Sequence, residues 1–137
     1  MPTHAPRLLL VEDDAALSNL LQGFLSRAGY AVLSCATGAE ALAHWDASFA
    51  AAVVDLGLPD IKGEELVPLM LAAQEQTPIV VSSGSPVQPS VFGEHSQDVW
   101  RIHVLQKPYL PRHLVELIGR LGLEPVKKPS GNGRNEL

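Results

Sequence analysis

Cysteine is nearly absent from this chain: Cys35 stands alone, which excludes an internal disulfide and any site built from several thiolates. It falls in the run Tyr30-Ala31-Val32-Leu33-Ser34-Cys35, where a thiol reads as a small buried hydrophobe rather than a reactive group. Basic charge is scarce as well. Ten Lys and Arg against fifteen Asp and Glu leave a net charge of -5. A binder of nucleic acid that ignores sequence needs a basic surface to displace counterions, so direct nucleic-acid binding is not expected. Lys127, Lys128 and Arg134 are only scattered along a polar tail. No apolar run approaches the roughly 18 residues of a membrane span. Arg7-Leu8-Leu9-Leu10-Val11 is too short for a signal peptide and runs straight into three acids, so a soluble cytoplasmic protein with no membrane partner is expected. The five histidines, His4, His44, His95, His103 and His113, show no metal-ligand spacing. There is neither a Gly-rich dinucleotide fingerprint nor a phosphate-cradling loop ending in Lys-Ser/Thr, so nucleotide binding is not expected either.

What the chain does have is apolar material in short, regularly interrupted pieces. At 137 residues, 46% of them hydrophobic, it matches one ordinary domain with a real core. Its organising stretch is Ala50-Ala51-Ala52-Val53-Val54-Asp55, followed by Leu56-Gly57-Leu58-Pro59-Asp60. An apolar run that ends in a carboxylate and then breaks into Gly and Pro reads as a buried strand leaving a parallel sheet. Asp55 would sit at its carboxyl edge, where ligands bind in open α/β sheets.

Residues 1–6 read as a loose start. Leu8-Leu9-Leu10-Val11 is a first strand that stops at Glu12-Asp13-Asp14, and Asp14 caps a helix whose face is Leu17, Leu20, Leu21, Phe24 and Leu25, ended by Gly29. Tyr30 to Ser34 gives a second strand. Thr37 and Glu40 form a capping-box pattern for a short helix carrying Ala39, Ala41, Leu42, Ala43 and Trp45. After the strand around Val53-Val54, a helix carries acids Glu64 and Glu65 in its first turn; Pro68 predicts that it starts late or kinks. Pro78 to Ser82 is a fourth strand. Val87 to Val99 holds Pro89 and Gly93, so any helix there is short and weak. Ile102 to Leu105 is a fifth strand, Pro111 opens a last helix with Leu114, Leu117, Ile118 and Leu121 on its buried face, and Gly122 closes it. From Glu124 to the end the composition is that of a disordered tail or the start of a linker.

Five strands alternating with helices predict a parallel sheet covered on both faces, a three-layer α/β architecture. The flavodoxin-like order 2-1-3-4-5 is the choice by type and length, with its switch point between the first and third strands.

Such a sheet brings the ends of strands one, three, four and five to one rim, and with them Glu12, Asp13, Asp55, Ser83 and Lys107. Crowded carboxylates raise one another's pKa unless a positive charge sits among them. Magnesium suits this setting, an all-oxygen site with carboxylates, a backbone carbonyl and retained waters. Lys107 and the Ser83 hydroxyl would then serve phosphoryl oxygens, and an Asp nucleophile forming an acyl phosphate is established chemistry. Ser83 competes with Ser82 and is chosen because it directly precedes Gly84.

These residues carry a specific likeness. Leu9-Leu10-Val11-Glu12-Asp13-Asp14, Val54-Asp55-Leu56-Gly57-Leu58-Pro59-Asp60 with Gly63, Ser83-Gly84 and Lys107-Pro108 together resemble the receiver domain of two-component response regulators. The match covers about residues 7 to 122, within an expected domain of residues 7–123. The resemblance implies Asp55 as phosphoacceptor and Asp13 as a direct Mg2+ ligand. It implies Glu12 as a partner through water and the Gly57 backbone carbonyl as a further ligand. Ser83 would be the hydroxyl that follows the phosphoryl group, Lys107 its paired cation, and Lys107-Pro108 a cis bond. It further implies a kinase histidine or phosphotransfer protein as donor, and a protein that catalyses only its own phosphorylation and dephosphorylation rather than an enzyme.

Two departures stand against the family's pattern. The aromatic residue often found three positions before the lysine is Val104 here, and His103 next to it faces the other side of the strand. The weak stretch from Val87 to Val99 falls where the family has its fourth helix and part of its output face. Two other readings therefore stay open: a receiver-like scaffold that works without phosphorylation, and a small Mg2+-dependent hydrolase with Asp55 as nucleophile. Against the hydrolase, the second acid usual two residues after such a nucleophile is Gly57 here.

Overall fold

The computed structural model describes residues 5–92 and 101–123. Its strands are β1 (Arg7–Val11), β2 (Ala31–Cys35), β3 (Phe49–Asp55), β4 (Ile79–Ser83) and β5 (Ile102–Gln106). They form one sheet in the order β2-β1-β3-β4-β5, every neighbouring pair parallel. The predicted order is the order found. The α-helices of the described residues are α1 (Ala15–Arg27), α2 (Gly38–His44), α3 (Gly63–Ala73) and α4 (Pro111–Arg120).

The central strands β1, β3 and β4 are apolar along most of their length because both of their faces are covered. Leu9, Val11, Ala52, Val54, Ile79 and Val81 pack with Ala41 of α2 and Leu66, Val67 and Met70 of α3. Leu8, Leu10, Ala51, Val53 and Val80 pack on the other side with Leu21 and Leu25 of α1 and Leu114 and Ile118 of α4. Strand alternation thus feeds two cores from one set of runs. At the start of β3 the register slips: Arg7 pairs with Phe49 but Leu8 with Ala51. The extra residue turns Phe49 to the α2/α3 side, where its ring stacks on Trp45 at 5.8 Å.

Element ends follow the local chemistry, with some shifts. Asp14 caps α1 by accepting the Leu17 N–H at 3.1 Å, and Gly29 leaves the helix at φ +105°. Thr37 caps α2 by accepting the Glu40 N–H at 3.1 Å. The capping box is not closed as its pattern predicts, however, because the Glu40 carboxylate accepts from the Ala36 N–H, one residue before the cap. Trp45 stands at the C-cap of α2 rather than within it. The late start that Pro68 suggested for α3 does not occur: the helix begins at Gly63 and contains the proline. Its early turns are held by burial of Leu66 and Val67, which outweighs one missing hydrogen bond.

In the stretch from Val87 to Val99, Pro89–Phe92 form a short 3-10 segment, and residues 93–99 lie outside the described residues. The tail 124–137 and the first four residues of the expected loose start lie outside them too. No helix among the described residues is long and apolar enough to cross a membrane.

Candidate functional site

Strands β1, β3, β4 and β5 each end in, or are followed directly by, a polar residue at the carboxyl edge of the sheet. Glu12 follows β1 directly, Asp55 ends β3, Ser83 ends β4 and Lys107 follows β5. Oxygens of Glu12, Asp13 and Asp55 lie within 4.8 Å of one another. Glu12 and Asp55 are buried, at 4% and 7% exposure, while Asp13 is open to solvent. The Lys107 Nζ lies 3.1 Å from Asp55 Oδ1 and 3.5 Å from Glu12 Oε1. Its ammonium therefore bridges two acids.

Charge and burial oppose each other here. Burial pushes the Glu12 carboxyl above its ordinary value, with Asp55 and Asp13 adding to the shift while the Asp14 N–H and Lys107 oppose it. Burial also works against the Lys107 charge, but the Asp55 bond and the pull of Asp55 and Glu12 prevail and hold its pKa above the usual value. The Asp14 N–H donates to Glu12 Oε2 at 3.1 Å and orients that carboxylate. An all-oxygen cluster with one exposed carboxylate, through which waters can reach, fits a hard cation such as Mg2+.

Gly57 lies beside this cluster: a Cβ built on it would sit 3.6 Å from Asp55 Oδ2. Ser82 and Ser83 are both buried, and alternation sends them to opposite faces of the sheet. The Ser83 hydroxyl accepts the Ser85 N–H at 3.1 Å and so shapes its own loop. The Ser83 carbonyl accepts the Lys107 N–H at 2.7 Å, tying β4 to the lysine turn. Lys107-Pro108 is cis. Val104 packs against the α2/α3 core and His103, on the other face, is half-buried, its pKa lowered by that burial. Among the described residues no histidine joins the acidic cluster; His4 and His95 lie outside them. Cys35 is buried and burial pushes its thiol up to about 11, in keeping with a packing role.

Three side chains had no assigned role in the sequence. Tyr109, two residues past Lys107, packs among the α1/α4 core residues with its hydroxyl buried and facing Ser82. Burial raises its pKa first of all. Asp60 reaches back to α2, accepting the Gly38 N–H at 2.9 Å and the Ala39 N–H at 3.0 Å. These two bonds hold its exposed carboxyl below its ordinary value. Arg101 is buried and donates to the carbonyls of Leu71, Gln74 and Thr77. A Pro-Asp turn and a lone Arg before a strand are local signals, and none says which distant backbone groups they meet.

Comparison with known proteins places this geometry among relatives. A family model described as the response regulator receiver domain matches residues 8–119. The chain is 30% identical over 125 residues to the DNA-binding transcriptional regulator NtrC of Rhizobium meliloti, a match covering 90% of this chain and 25% of that one. It is 37% identical over 119 residues to the regulatory protein VanRB of Enterococcus faecalis, covering 84% of this chain and 51% of the relative. It thus spans a quarter to a half of the length of these relatives. A CheY-like response regulator receiver domain protein from Methanospirillum hungatei superimposes with a TM-score of 0.75 at 30% identity, covering 85% of this chain and 93% of the other.

Proposed function

The chain belongs to the response regulator receiver family, and from that premise we propose that it accepts a phosphoryl group on Asp55 from a histidine of a sensor kinase or phosphotransfer protein. The observation that carries this reading is the convergence of Glu12, Asp13, Asp55 and Lys107 at one edge of the sheet. An Asp55 oxygen attacks phosphorus as the bond from phosphorus to the donor's imidazole nitrogen breaks. The nitrogen keeps the electron pair and takes up a proton, and Asp55 becomes an acyl phosphate. Glu12, Asp13, Asp55 and the Gly57 carbonyl would hold Mg2+, whose contribution is to neutralise charge on the phosphoryl oxygens. Lys107, now paired with Asp55 at 3.1 Å, transfers its ammonium to a phosphoryl oxygen once the carboxylate is esterified. The Ser83 hydroxyl exchanges its bond to the Ser85 N–H for another of those oxygens.

In this reading the protein is no enzyme toward a separate substrate, because water later removes the phosphoryl group from the same Asp55. A cytoplasmic setting and a protein partner for output follow from the donor chemistry and from the net charge of -5, which disfavours direct nucleic-acid contact by this chain. Longer relatives named as transcriptional regulators leave room for the receiver to act as one part of a larger chain.

The test is intact-mass measurement after incubation with Mg2+ and a small acyl phosphate donor. Wild-type protein should gain one phosphoryl group, and Asp55→Asn none. No adduct with any donor would favour the scaffold reading, and multiple turnover of unrelated phosphoesters the hydrolase reading.

A further inference from the structure

The loop that follows Asp55 is fastened to a helix it does not belong to. Asp60 Oδ1 and Oδ2 take the Gly38 and Ala39 N–H groups at 2.9 and 3.0 Å, the first two amides of α2. The side chain of the helix's own cap, Thr37, takes only the next one, Glu40, at 3.1 Å. Two amides that a helix start leaves unsatisfied are thus served from 21 or 22 residues away. The approach is close: a Cβ on Gly38 would run into the Ile61 side chain and lie 3.5 Å from Asp60 Oδ1. At the loop's other end a Cβ on Gly63 would crowd Leu56 Cα at 3.0 Å, so the chain from Leu56 to Gly63 folds tightly onto itself. Gly57 lies between Leu56, which Gly63 packs against, and the Asp60 anchor, alongside the Asp55 carboxylate.

We propose that Asp60 is a positioning residue for the cation site: by anchoring the β3–α3 loop to the start of α2 it sets where the Gly57 backbone stands relative to Glu12, Asp13 and Asp55. The inference rests on the phosphoacceptor reading of that site. A loop with one end free would spread its carbonyl over many positions, and ordering it on binding would cost affinity. Coupling of this kind runs both ways, so a cation in the site also tightens the Asp60 bonds to Gly38 and Ala39.

The experiment is calorimetric Mg2+ titration of the full chain for wild type, Asp60→Ala, Asp60→Asn and Thr37→Ala, with hydrogen exchange at the Gly38 and Ala39 amides. Thr37→Ala is the matched control, since it also removes a cap bond from α2 but leaves the loop alone. Asp60→Ala should weaken Mg2+ binding by about tenfold, the loss typical of removing a group that orients a ligand. Asp60→Asn, which keeps one acceptor oxygen, should recover part of that loss, and Thr37→Ala should bind as wild type does. Mg2+ should slow exchange at Gly38 and Ala39 in the wild type and in Thr37→Ala, but not in Asp60→Ala. Unchanged affinity in Asp60→Ala, or an equal loss in Thr37→Ala, overturns the inference while a phosphoryl adduct on wild type leaves the site reading standing. Absence of Mg2+ binding by wild type overturns both.

Discussion

Arg101 shows what a single residue can settle. Its guanidinium, at 2% exposure, donates to the carbonyls of Leu71 and Gln74 at the end of α3 and of Thr77 before β4. A buried charge is tolerated when its donors are used, and these carbonyls are the acceptors that a helix end leaves over. Arg101→Met should destabilise the fold by about 3 kcal/mol, because it strands buried acceptors as well as losing charged bonds. Urea unfolding should report this as a lower midpoint at unchanged slope. Arg101→Lys should restore little, since one ammonium cannot span the same three carbonyls. At this scale the site was legible: an acid after an apolar run, a Ser before Gly and a Lys before Pro each mark a strand's exit. Asp60 and Arg101 were not, because their partners lie at least 21 residues away in sequence.

At the scale of elements, local pattern and tertiary demand coincide in most places and part at α3. Pro68 lacks the N–H that would bond to the Glu64 carbonyl, yet the helix runs through it from Gly63 to Ala73. Burial of Leu66, Val67, Met70 and Leu71 holds the helix, helped at its end by Arg101 and by the Trp45 Nε1–H, which donates to the Met70 carbonyl at 2.9 Å. Pro68→Ala should therefore stabilise the protein by about 1 kcal/mol, the restored bond being offset by a more flexible unfolded chain. Thermal unfolding should show a midpoint higher by about 4 °C. The strands were readable to within a residue because each is a short, mostly apolar run bounded by turn residues. The Glu40 contact was not, since the box pattern names a residue type and the turn geometry picks which N–H it meets.

For the molecule as a whole, the two cores hold the sheet, and the sheet in turn holds repelling carboxylates together. Glu12 has its pKa raised above 4.5, chiefly by burial, so the folded protein keeps a proton that the unfolded chain has lost. Stability contributed by this group falls as pH rises through that window, and a cation returns it. Mg2+ should accordingly raise the unfolding midpoint near neutral pH, by about 2.7 kcal/mol in stability at a hundredfold excess over Kd. Chelation should reverse the gain, Asp55→Asn should abolish most of it, and acidification should erode it as Glu12 takes up its proton. Differential scanning calorimetry with and without Mg2+ reads all three.

The amino-acid order alone determined the alternation of five apolar runs with amphipathic stretches, and hence a parallel sheet with an acid, a serine and a lysine at the exits of its strands. That much is local, since hydrophobic period and turn chemistry act over a few residues. Only the tertiary structure decided that the Lys107 ammonium lies between Asp55 and Glu12, that Phe49 turns to Trp45 through a slipped register, and that Asp60 serves the start of α2. Those contacts join segments distant in the chain, and their geometry exists only once the crossovers have set the strands side by side.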